Sequence, residues 1–343
     1  MNAHLFVAET PGDPRWICGH TANLHRKKSY EINGLSVPSE RKQGAALSGN
    51  LYEIVTAKVI ESLKNGTVPW RKPWNVNTLL PCNATTNRPY RGVNILLLGL
   101  TPFADHRWLT FKQAQELGGK VKQGERSTMV VFWKFPERKQ SEDDEDSWKR
   151  NAPILRYFNV FNVEQVEGIE VAPVPTQGHL TEGHRIGRAD ALVCSMPNPP
   201  FIEERGQQAW YHPESDLVRI PKVSSFSSID EYYATLFHEL GHSTGHEKRL
   251  KRSGVAGKVH FGSEEYSREE LVAELTSSFC CATVALDNSI HDNSVAYINS
   301  WMNSLRSDPK ALVIAAAQAQ KATDYIKGIE YPLNANLPIL ATV

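Results

Sequence analysis

Residues 228–242 read SIDEYYATLFHELGH, a stretch that combines a helical period with a group of chemically reactive side chains. Ser227 or Ser228 can cap the start of a helix, and two acids follow in the first turn, where the helix dipole favours negative charge. Apolar residues recur three and four positions apart, as on one helix face, at Tyr233, Leu236, Phe237 and Leu240. The sequence therefore predicts an amphipathic helix over residues 228–245.

The predicted helix contains the pattern His-Glu-x-x-His. His238 and His242 are four residues apart, so both imidazoles project from one side of the helix and can bind one Zn2+ ion. Glu239 lies about 100° further round the helix, near water that the metal would activate and outside the ligand set. We expect Glu239 to be the general base when that water attacks a carbonyl group.

A catalytic zinc with three protein ligands needs one more donor, and a second predicted helix, over residues 267–286, supplies carboxylates. Glu270 and Glu274 are one turn apart, a spacing that suits one ligand and one hydrogen-bond acceptor for a ligand histidine. We expect Glu270 to be the ligand and Glu274 the acceptor, with the two roles exchanged as the alternative. The neighbouring Glu269 is expected to point to solvent.

Other residues near the histidines have several candidate roles. His246 competes as a third ligand, but Gly245 should end the helix just before it, so a capping or substrate-side role suits it better. The donor to a developing oxyanion stays open among Tyr211, Tyr233, Tyr266 and His246.

A hairpin predicted over residues 209–220 either offers an edge strand to an extended peptide or only covers the core. A zinc deaminase is excluded, because no Pro-Cys-x-x-Cys follows the His-x-Glu at 212–214.

The composition excludes several classes of protein. A chain of 343 residues, 41% of them hydrophobic, is long enough for two domains with cores. No run approaches the ~18 to 20 apolar residues of a membrane helix, and the N-terminal residues lack the pattern of an export signal. The five cysteines are scattered without a Cys-x-x-Cys pair, which argues against a disulfide scaffold and a cysteine zinc site. We therefore expect a cytoplasmic protein with no membrane partner.

A neutral total charge hides a basic region. The chain has 38 Lys and Arg against 38 Asp and Glu, yet residues 51–140 hold 14 basic and 6 acidic residues, an excess of +8. Aromatic residues interleave with these cations, and such a surface binds single-stranded DNA because cations follow the phosphates while rings stack on unpaired bases. The predicted DNA-binding residues are Trp70, Arg71, Lys72, Trp74, Arg88, Tyr90, Arg91, Trp108, Lys112, Lys120 and Lys122. Alternatively, the rings pack in a core and the basic region docks on an acidic neighbour.

The chain divides at a proline-rich segment, where prolines and a glycine interrupt both the helical and the strand period. This segment, residues 171–180, is the predicted linker. The sequence predicts an α+β protein of two domains, preceded by a tail or extension at residues 1–48. Residues 49–170 form a small α+β nucleic-acid-binding domain, and residues 181–343 form a mainly helical metal-binding domain with a small β-sheet.

Further elements follow from local patterns. Apolar periods predict helices over residues 50–65, 93–100 and 295–326. Residues 128–135 and 154–163 are rich in β-branched and aromatic residues and predict a β-hairpin. The loop between these strands has five acids within residues 141–147, which is typical of a solvated connection.

Five motifs, taken in order, resemble the ArdC-type antirestriction family: WRKPW at 70–74, YRGVN at 90–94, WLTFKQA at 108–114, HELGHSTGH at 238–246 and EELVAEL at 269–275. The resemblance runs from about residue 49 to the mid-330s and leaves residues 1–48 outside. It implies an N-terminal domain that binds single-stranded DNA, shared with some plasmid primases, and a C-terminal zincin-like metallopeptidase domain. It further implies carriage by a conjugative plasmid or related mobile element, and protection of incoming DNA from host restriction.

Three functions are compatible with these features. In the favoured one, the protein protects by occupying single-stranded DNA or the restriction enzyme, and zinc is a structural element. In the second, a DNA-tethered zinc protease cleaves a DNA-bound protein such as a restriction subunit. The third is a primase accessory role without nucleotide polymerisation, because the N-terminal region has no acidic metal triad of the polymerase type.

Overall fold

The structure is a computed structural model, and it describes residues 47–71, 80–134, 154–172, 181–256, 263–287 and 295–329. The predicted tail, apart from its last two residues, lies outside these ranges. So do the acidic loop at 141–147, most of the predicted linker, and Lys72 and Trp74 of the predicted DNA-binding set. Across the described ranges, no helix combines the length and the apolar character that crossing a bilayer requires.

The N-terminal part of the described chain packs helices on a sheet. Its α-helices are α1 (Leu47–Lys64), α2 (Val93–Gly99) and α3 (Phe111–Glu116). Its strands are β1 (Cys82–Asn83), β2 (Arg107–Thr110), β3 (Lys120–Val121), β4 (Thr128–Lys134), β5 (Ile154–Asn162) and β6 (Val166–Glu167). One sheet has the order β1-β2-β5-β4, and β3 pairs with β6. The first two predicted helices and the predicted pairing of β4 with β5 are confirmed.

The C-terminal part is mainly helical and carries a small sheet. Its described helices are α4 (Glu182–Cys194), α5 (Ile229–Ser243), α6 (Ser253–Ala256), α7 (Glu264–Val284), α8 (Val295–Ser307) and α9 (Ala311–Ile326). Its strands are β7 (Phe201–Glu204), β8 (Trp210–His212) and β9 (Leu217–Ile220), in the order β7-β9-β8. The predicted hairpin is confirmed as β8 and β9, whereas α4 and β7 were not predicted.

The helix predicted over residues 295–326 is in fact two helices. α8 ends at Ser307 and α9 begins at Ala311, with Pro309 between them. A proline inside a helix has no N–H to donate, and its ring clashes with the preceding turn, so the helical period could not continue through this position. The carbonyl group of Pro309 accepts a 2.8 Å hydrogen bond from the hydroxyl group of Thr56 on α1.

The N-terminal and C-terminal parts share one hydrophobic core. Leu51 and Val55 of α1 and Leu96 of α2 are buried in the same cluster as Phe279 of α7 and Trp301 of α8. Burial of apolar surface across this boundary stabilises both parts together. The predicted α+β architecture is confirmed, and its two parts are packed against each other as well as linked by the chain.

Polar contacts add to the boundary between the two parts. Gly92 has a φ of 57°, a left-handed conformation that glycine adopts without steric strain, and its N–H donates to Gln320 over 2.9 Å. The preceding residue, Arg91, forms an ion pair with Asp324 of α9. The turn before α2 is therefore attached to α9 by both its backbone and its side chain.

Candidate metal centre

The helix α5 begins where its capping residues predict. The hydroxyl group of Ser228 accepts a 3.1 Å hydrogen bond from the N–H of Glu231, and the Glu231 carboxylate accepts 2.8 Å and 2.5 Å hydrogen bonds from the N–H and hydroxyl groups of Ser227. Phe237 and Leu240 are fully buried in the second core of the molecule. The apolar face of the helix therefore sets its rotation, and the two histidines lie on the side that meets α7.

Gly241 allows α5 and α7 to approach closely. A Cβ atom at this position would lie 3.1 Å from the Cα of Ala273 and 3.2 Å from the Cβ of Thr276, closer than ordinary van der Waals contact. Only the absence of a side chain permits this distance. The close approach brings the first half of α7, with its carboxylates, against the histidines of α5.

His238, His242 and Glu270 converge at this crossing. Their candidate ligand atoms all lie within 4.8 Å of one another. The two Nε2 atoms are 3.2 Å apart, and the Glu270 carboxylate oxygens lie 3.6 Å from Nε2 of His238 and 3.5 Å from Nε2 of His242. Two imidazoles and one carboxylate form a donor set that suits a divalent transition metal in a site with an open position.

The electrostatics of the cluster favour a cation. Burial would raise the pKa of Glu270, but the imidazoles of His242 and His238 and a hydrogen bond from Tyr266 lower it to about 2. Burial would lower the pKa of His238, yet the carboxylates of Glu270 and Glu239 raise it to about 9. The raised pKa of a buried imidazole shows that the surrounding carboxylates stabilise positive charge at this position. The residues present therefore fit a metal cation.

Glu269 is buried, and the expectation that it points to solvent was wrong. Its carboxylate lies 3.4 Å from Nδ1 of His242 and accepts 2.9 Å and 2.5 Å hydrogen bonds from Arg252. Arg252 also donates to the carbonyl group of Gly241 and the hydroxyl group of Thr244. Glu269 thus faces the nitrogen of His242 that points away from the cluster, a contact that commonly orients a ligand histidine.

Glu274 lies at the boundary with the N-terminal part. Its Oε1 atom accepts hydrogen bonds from Arg71 over 2.7 Å and from the hydroxyl group of Tyr297 over 2.9 Å. Its negative charge contributes to the raised pKa of His238. The structure places Glu269 beside Nδ1 of His242, which is the position that the sequence led us to expect for Glu274.

Glu239 is buried beside the cluster, with 2% of its surface exposed. Burial raises its pKa, and the charges of His238 and His242 and a hydrogen bond from the backbone N–H of Tyr211 offset part of the rise. A carboxylate with a raised pKa is better suited to accept and return a proton near neutral pH. The contact with Tyr211 also shows that β8 lies directly against this face of α5.

The four candidate oxyanion donors have different surroundings. Tyr211 donates to Asp216, and Tyr233 donates to Asp190. The Nδ1 atom of His246 accepts a hydrogen bond from the N–H of Lys248, in the turn beyond the end of α5. Tyr266 is the one with a side-chain hydrogen bond to Glu270. Of these four residues, Tyr266 is therefore the one whose side chain contacts a member of the cluster. The cluster consists of His238, His242 and Glu270, and His246 is not part of it.

The aromatic residues predicted to stack on DNA bases are buried instead. Trp70 is fully buried, edge-on to Trp301 at 5.6 Å, and its indole N–H donates to Tyr297. Tyr90 and Trp108 are each only 2% exposed. No base can reach these rings in this conformation, so the prediction that they stack on bases was wrong and the packing alternative holds.

The cations of the same predicted set fall into two groups. Arg71 is paired with Glu274 and Arg91 with Asp324, so both hold the two parts of the protein together. Four of the predicted cations are exposed on the surface: Arg88, Lys112, Lys120 and Lys122. Only these four, among the described members of the set, are available to phosphates.

Two family models match the chain, one on each side of the predicted linker. The model for the N-terminal domain of anti-restriction factor ArdC matches residues 49–161. A zincin-like metallopeptidase model matches residues 189–318, the region that contains the His238–His242–Glu270 cluster. The fold and the site thus define an ArdC-type N-terminal domain joined to a zincin-like metallopeptidase domain, and the two-domain prediction is confirmed.

Similar proteins cover most of the chain. The protein y4eC of Sinorhizobium fredii is 35% identical over 288 residues, which span 81% of this chain and 91% of y4eC. Two DNA primases TraC of Escherichia coli are 36% and 34% identical, but this chain spans only 20% and 27% of their length. The similarity to the primases therefore concerns one segment of much longer proteins.

Solved structures agree with the family models. The metal-free and Mn(II)-bound crystal structures of the antirestriction protein ArdC from the R388 plasmid match with a TM-score of 0.64 and 32% identity. The matched region covers 81% of this chain and 97% of ArdC. The chain belongs to the ArdC-type antirestriction family, as its motifs predicted.

Proposed function

We propose that this protein binds single-stranded DNA without sequence preference, carries a zinc metallopeptidase-like site, and protects incoming DNA of a mobile element from host restriction. The observation that carries the proposal is the convergence of His238, His242 and Glu270 in a chain whose N-terminal part matches the ArdC domain. Binding protects the DNA in this account, and the host restriction enzyme is the proposed second partner.

Three features support the DNA-binding part of this proposal. The region from 51 to 140 has an excess of eight positive charges, and four of its predicted DNA-binding cations are exposed. Cations on a surface bind phosphates whatever the base sequence. Membership of a family of DNA-protecting proteins agrees with such a surface.

The residues of the cluster have distinct proposed roles. His238, His242 and Glu270 would hold the divalent ion, with Glu269 orienting His242 and Tyr266 orienting Glu270. A divalent metal in this position would polarise a carbonyl group and acidify water. Glu239 would accept a proton at its carboxylate from water and return it to a leaving group.

An active DNA-tethered peptidase is the second candidate. It is favoured by the position of Glu239, a buried base beside the proposed metal ligands, and by the edge strand β8, which contacts that base through Tyr211. An edge strand can pair with an extended peptide. In this version the protein would cleave a DNA-bound protein, and binding to DNA would only bring the enzyme to it.

One pair of variants separates these candidates in a restriction-protection assay with single-stranded DNA entering the cell. Glu239→Gln removes the base and leaves the proposed ligands, so protection should persist if binding protects and disappear if proteolysis protects. Charge reversal at the exposed Arg88 and Lys120 should weaken DNA binding and protection together in the binding account. A double variant that no longer binds DNA but still protects would contradict it.

A primase accessory role is a third candidate, since the matched segment also occurs in the TraC primases. It predicts that the protein stimulates primer synthesis by a separate primase on single-stranded templates. No stimulation across a range of protein concentrations would exclude this role.

A further inference from the structure

We propose that the outer face of the β4–β5 hairpin is the base-stacking surface for single-stranded DNA, centred on Phe132 and Phe158 with Arg156 and Lys134 beside them. This inference rests on the proposed function and locates its DNA-binding site. It replaces Trp70, Tyr90 and Trp108, the buried residues that the sequence led us to expect in this role.

Strand alternation separates the two faces of the hairpin. Successive side chains of a strand point to opposite faces of its sheet. On β4, Val131 and Trp133 pack in or against the shared core, as do Leu155 and Tyr157 on β5. The residues between them must therefore lie on the opposite face of the sheet.

That opposite face is half open to solvent. At its inner end Val130 and Val160 are buried under Tyr90 and Trp108. At its outer end the register pairs Lys134 with Ile154, Phe132 with Arg156, and Val130 with Phe158. Phe158 is 37% exposed and Ile154 36%, so both apolar side chains are partly open to water beyond the buried end of this face.

The two phenylalanine rings are stacked on each other. Their ring centroids are 4.7 Å apart and their planes differ by only 16°. A base can extend this stack on the solvent side of Phe158, which is 37% exposed, as unpaired bases stack on aromatic side chains in single-strand binders and in sheet-based RNA-binding domains. The geometry suits a base better than a peptide side chain, since a base offers a planar face of similar size.

The cations beside the rings supply charge complementarity. Lys134 is exposed, and Arg156 is half-buried directly across the ladder from Phe132. Within the described part of the chain, neither cation is engaged in an ion pair. A phosphate beside a stacked base would therefore meet a cation that no described carboxylate pairs with. An apolar partner protein would derive no benefit from these charges, so the occupant we assign is single-stranded DNA.

The test measures the binding of a fluorescein-labelled oligothymidylate of about 20 nucleotides by fluorescence anisotropy, a length that exceeds one binding site. Phe132→Ala with Phe158→Ala should weaken binding about 5- to 150-fold for each base that loses its stacking partner. Arg156→Gln should reduce the slope of log affinity against log salt by about 0.7, as expected when one phosphate contact is lost.

Matched controls lie elsewhere on the surface. Phe201→Ala removes a ring that is 71% exposed on β7, and Arg205→Gln removes a cation that is 73% exposed. Neither should change the affinity. Because alanine could disturb the hairpin, Phe→Leu and Phe→Tyr at 132 and 158 complete the set. Leucine and tyrosine both keep apolar volume at these positions, but only tyrosine keeps an aromatic ring. The tyrosine variants should therefore bind DNA with the wild-type affinity, and the leucine variants should bind it more weakly.

The outcomes are distinguishable. Wild-type protein that does not bind the oligonucleotide contradicts the proposed function. Wild-type protein that binds, with folded leucine and alanine variants that bind equally well, overturns only the placement of the site. The wild type could also be a dimer that becomes monomeric on Phe158→Ala while DNA binding is unchanged. That result would show that a second copy of the chain covers this face, and it would overturn the placement of the DNA site.

Discussion

The guanidinium group of Arg71 donates to the carboxylate of Glu274 over 2.7 Å and lies over the ring of Tyr297 at 4.0 Å. Arg71 belongs to the N-terminal domain, and Glu274 lies on α7 one turn after Glu270. A residue that the sequence assigned to DNA therefore connects the N-terminal domain to the helix of the candidate metal site.

Removing this connection should destabilise the whole protein. Both partners are largely buried, with side chains 11% and 15% exposed, so Arg71→Ala removes the cation from a buried carboxylate that keeps its hydrogen bond from Tyr297. We expect a loss of about 2–4 kcal/mol in the free energy of unfolding, measured by urea denaturation. Lys64→Ala, which removes an exposed i,i+3 pair with Glu61, should change it by less than about 0.5 kcal/mol. If Arg71→Ala lowers the free energy of unfolding no more than Lys64→Ala does, the contact of Arg71 with Glu274 does not stabilise the protein.

Glu269 should be needed for tight metal binding although it is not among the three converging residues. Glu269→Gln weakens its contact with Nδ1 of His242 and its pairing with Arg252. We expect metal affinity to fall about 10- to 100-fold, measured by competition with a chelating dye. Glu265→Gln changes an exposed residue one turn earlier on α7 and serves as the control. If both variants bind metal like the wild type, Glu269 does not orient the histidine.

Gly241 should be intolerant of any side chain. Gly241→Ala places a Cβ against the backbone of Ala273 at 3.1 Å, which forces α5 and α7 apart. We expect a destabilisation of about 1–3 kcal/mol and weaker metal binding, since the three converging residues come from both helices. At Gly183 on α4 an added Cβ meets nothing within 4 Å, so Gly183→Ala should be neutral or stabilise by up to about 1 kcal/mol. Unaltered stability and metal affinity of Gly241→Ala would refute this interpretation.

The ion pair of Asp216 and Arg249 should make the stability of the protein fall at acidic pH. Burial would raise the pKa of Asp216, but hydrogen bonds from Arg249 and Tyr211 lower it below its usual value. A carboxyl group with a lowered pKa in the folded state stabilises the protein above its unfolded pKa, and this contribution is lost as the pH falls through the folded pKa. The loss should therefore begin near pH ~4 and continue below it.

Asp216→Asn tests this expectation. Asparagine accepts the left-handed backbone at this position, where φ is 49°, so the variant removes mainly the charge. It should cost about 2–3 kcal/mol at neutral pH, and the difference from wild type should shrink in acid. A difference that is the same at pH 7 and well below pH 4 would contradict the assignment.

The sequence was most informative where a local pattern decides the structure. The cap at Ser228, the apolar period of α5 and the four-residue spacing of His238 and His242 all depend on neighbours along the chain. Glu270 follows from the same reasoning on α7. These features need no knowledge of how distant segments pack.

The errors concern contacts between distant segments. Trp70 is buried because it meets Trp301, and Glu269 is buried because Arg252 reaches it from the segment after α5. Neither partner is adjacent in sequence, so composition suggested an exposed ring and a solvated acid. A tandem pair of glutamates opposite two histidines was the one signal that could have indicated a role for Glu269.

The most direct test is the metal content of purified protein, measured by mass spectrometry for the wild type, Glu270→Ala and Glu274→Gln. We predict about one divalent ion per chain, mainly zinc, in the wild type and in Glu274→Gln, because a single three-residue site holds one ion. Glu270→Ala should retain little or none. A Glu270→Ala protein that keeps its metal while Glu274→Gln loses it would contradict the site that we place at His238, His242 and Glu270.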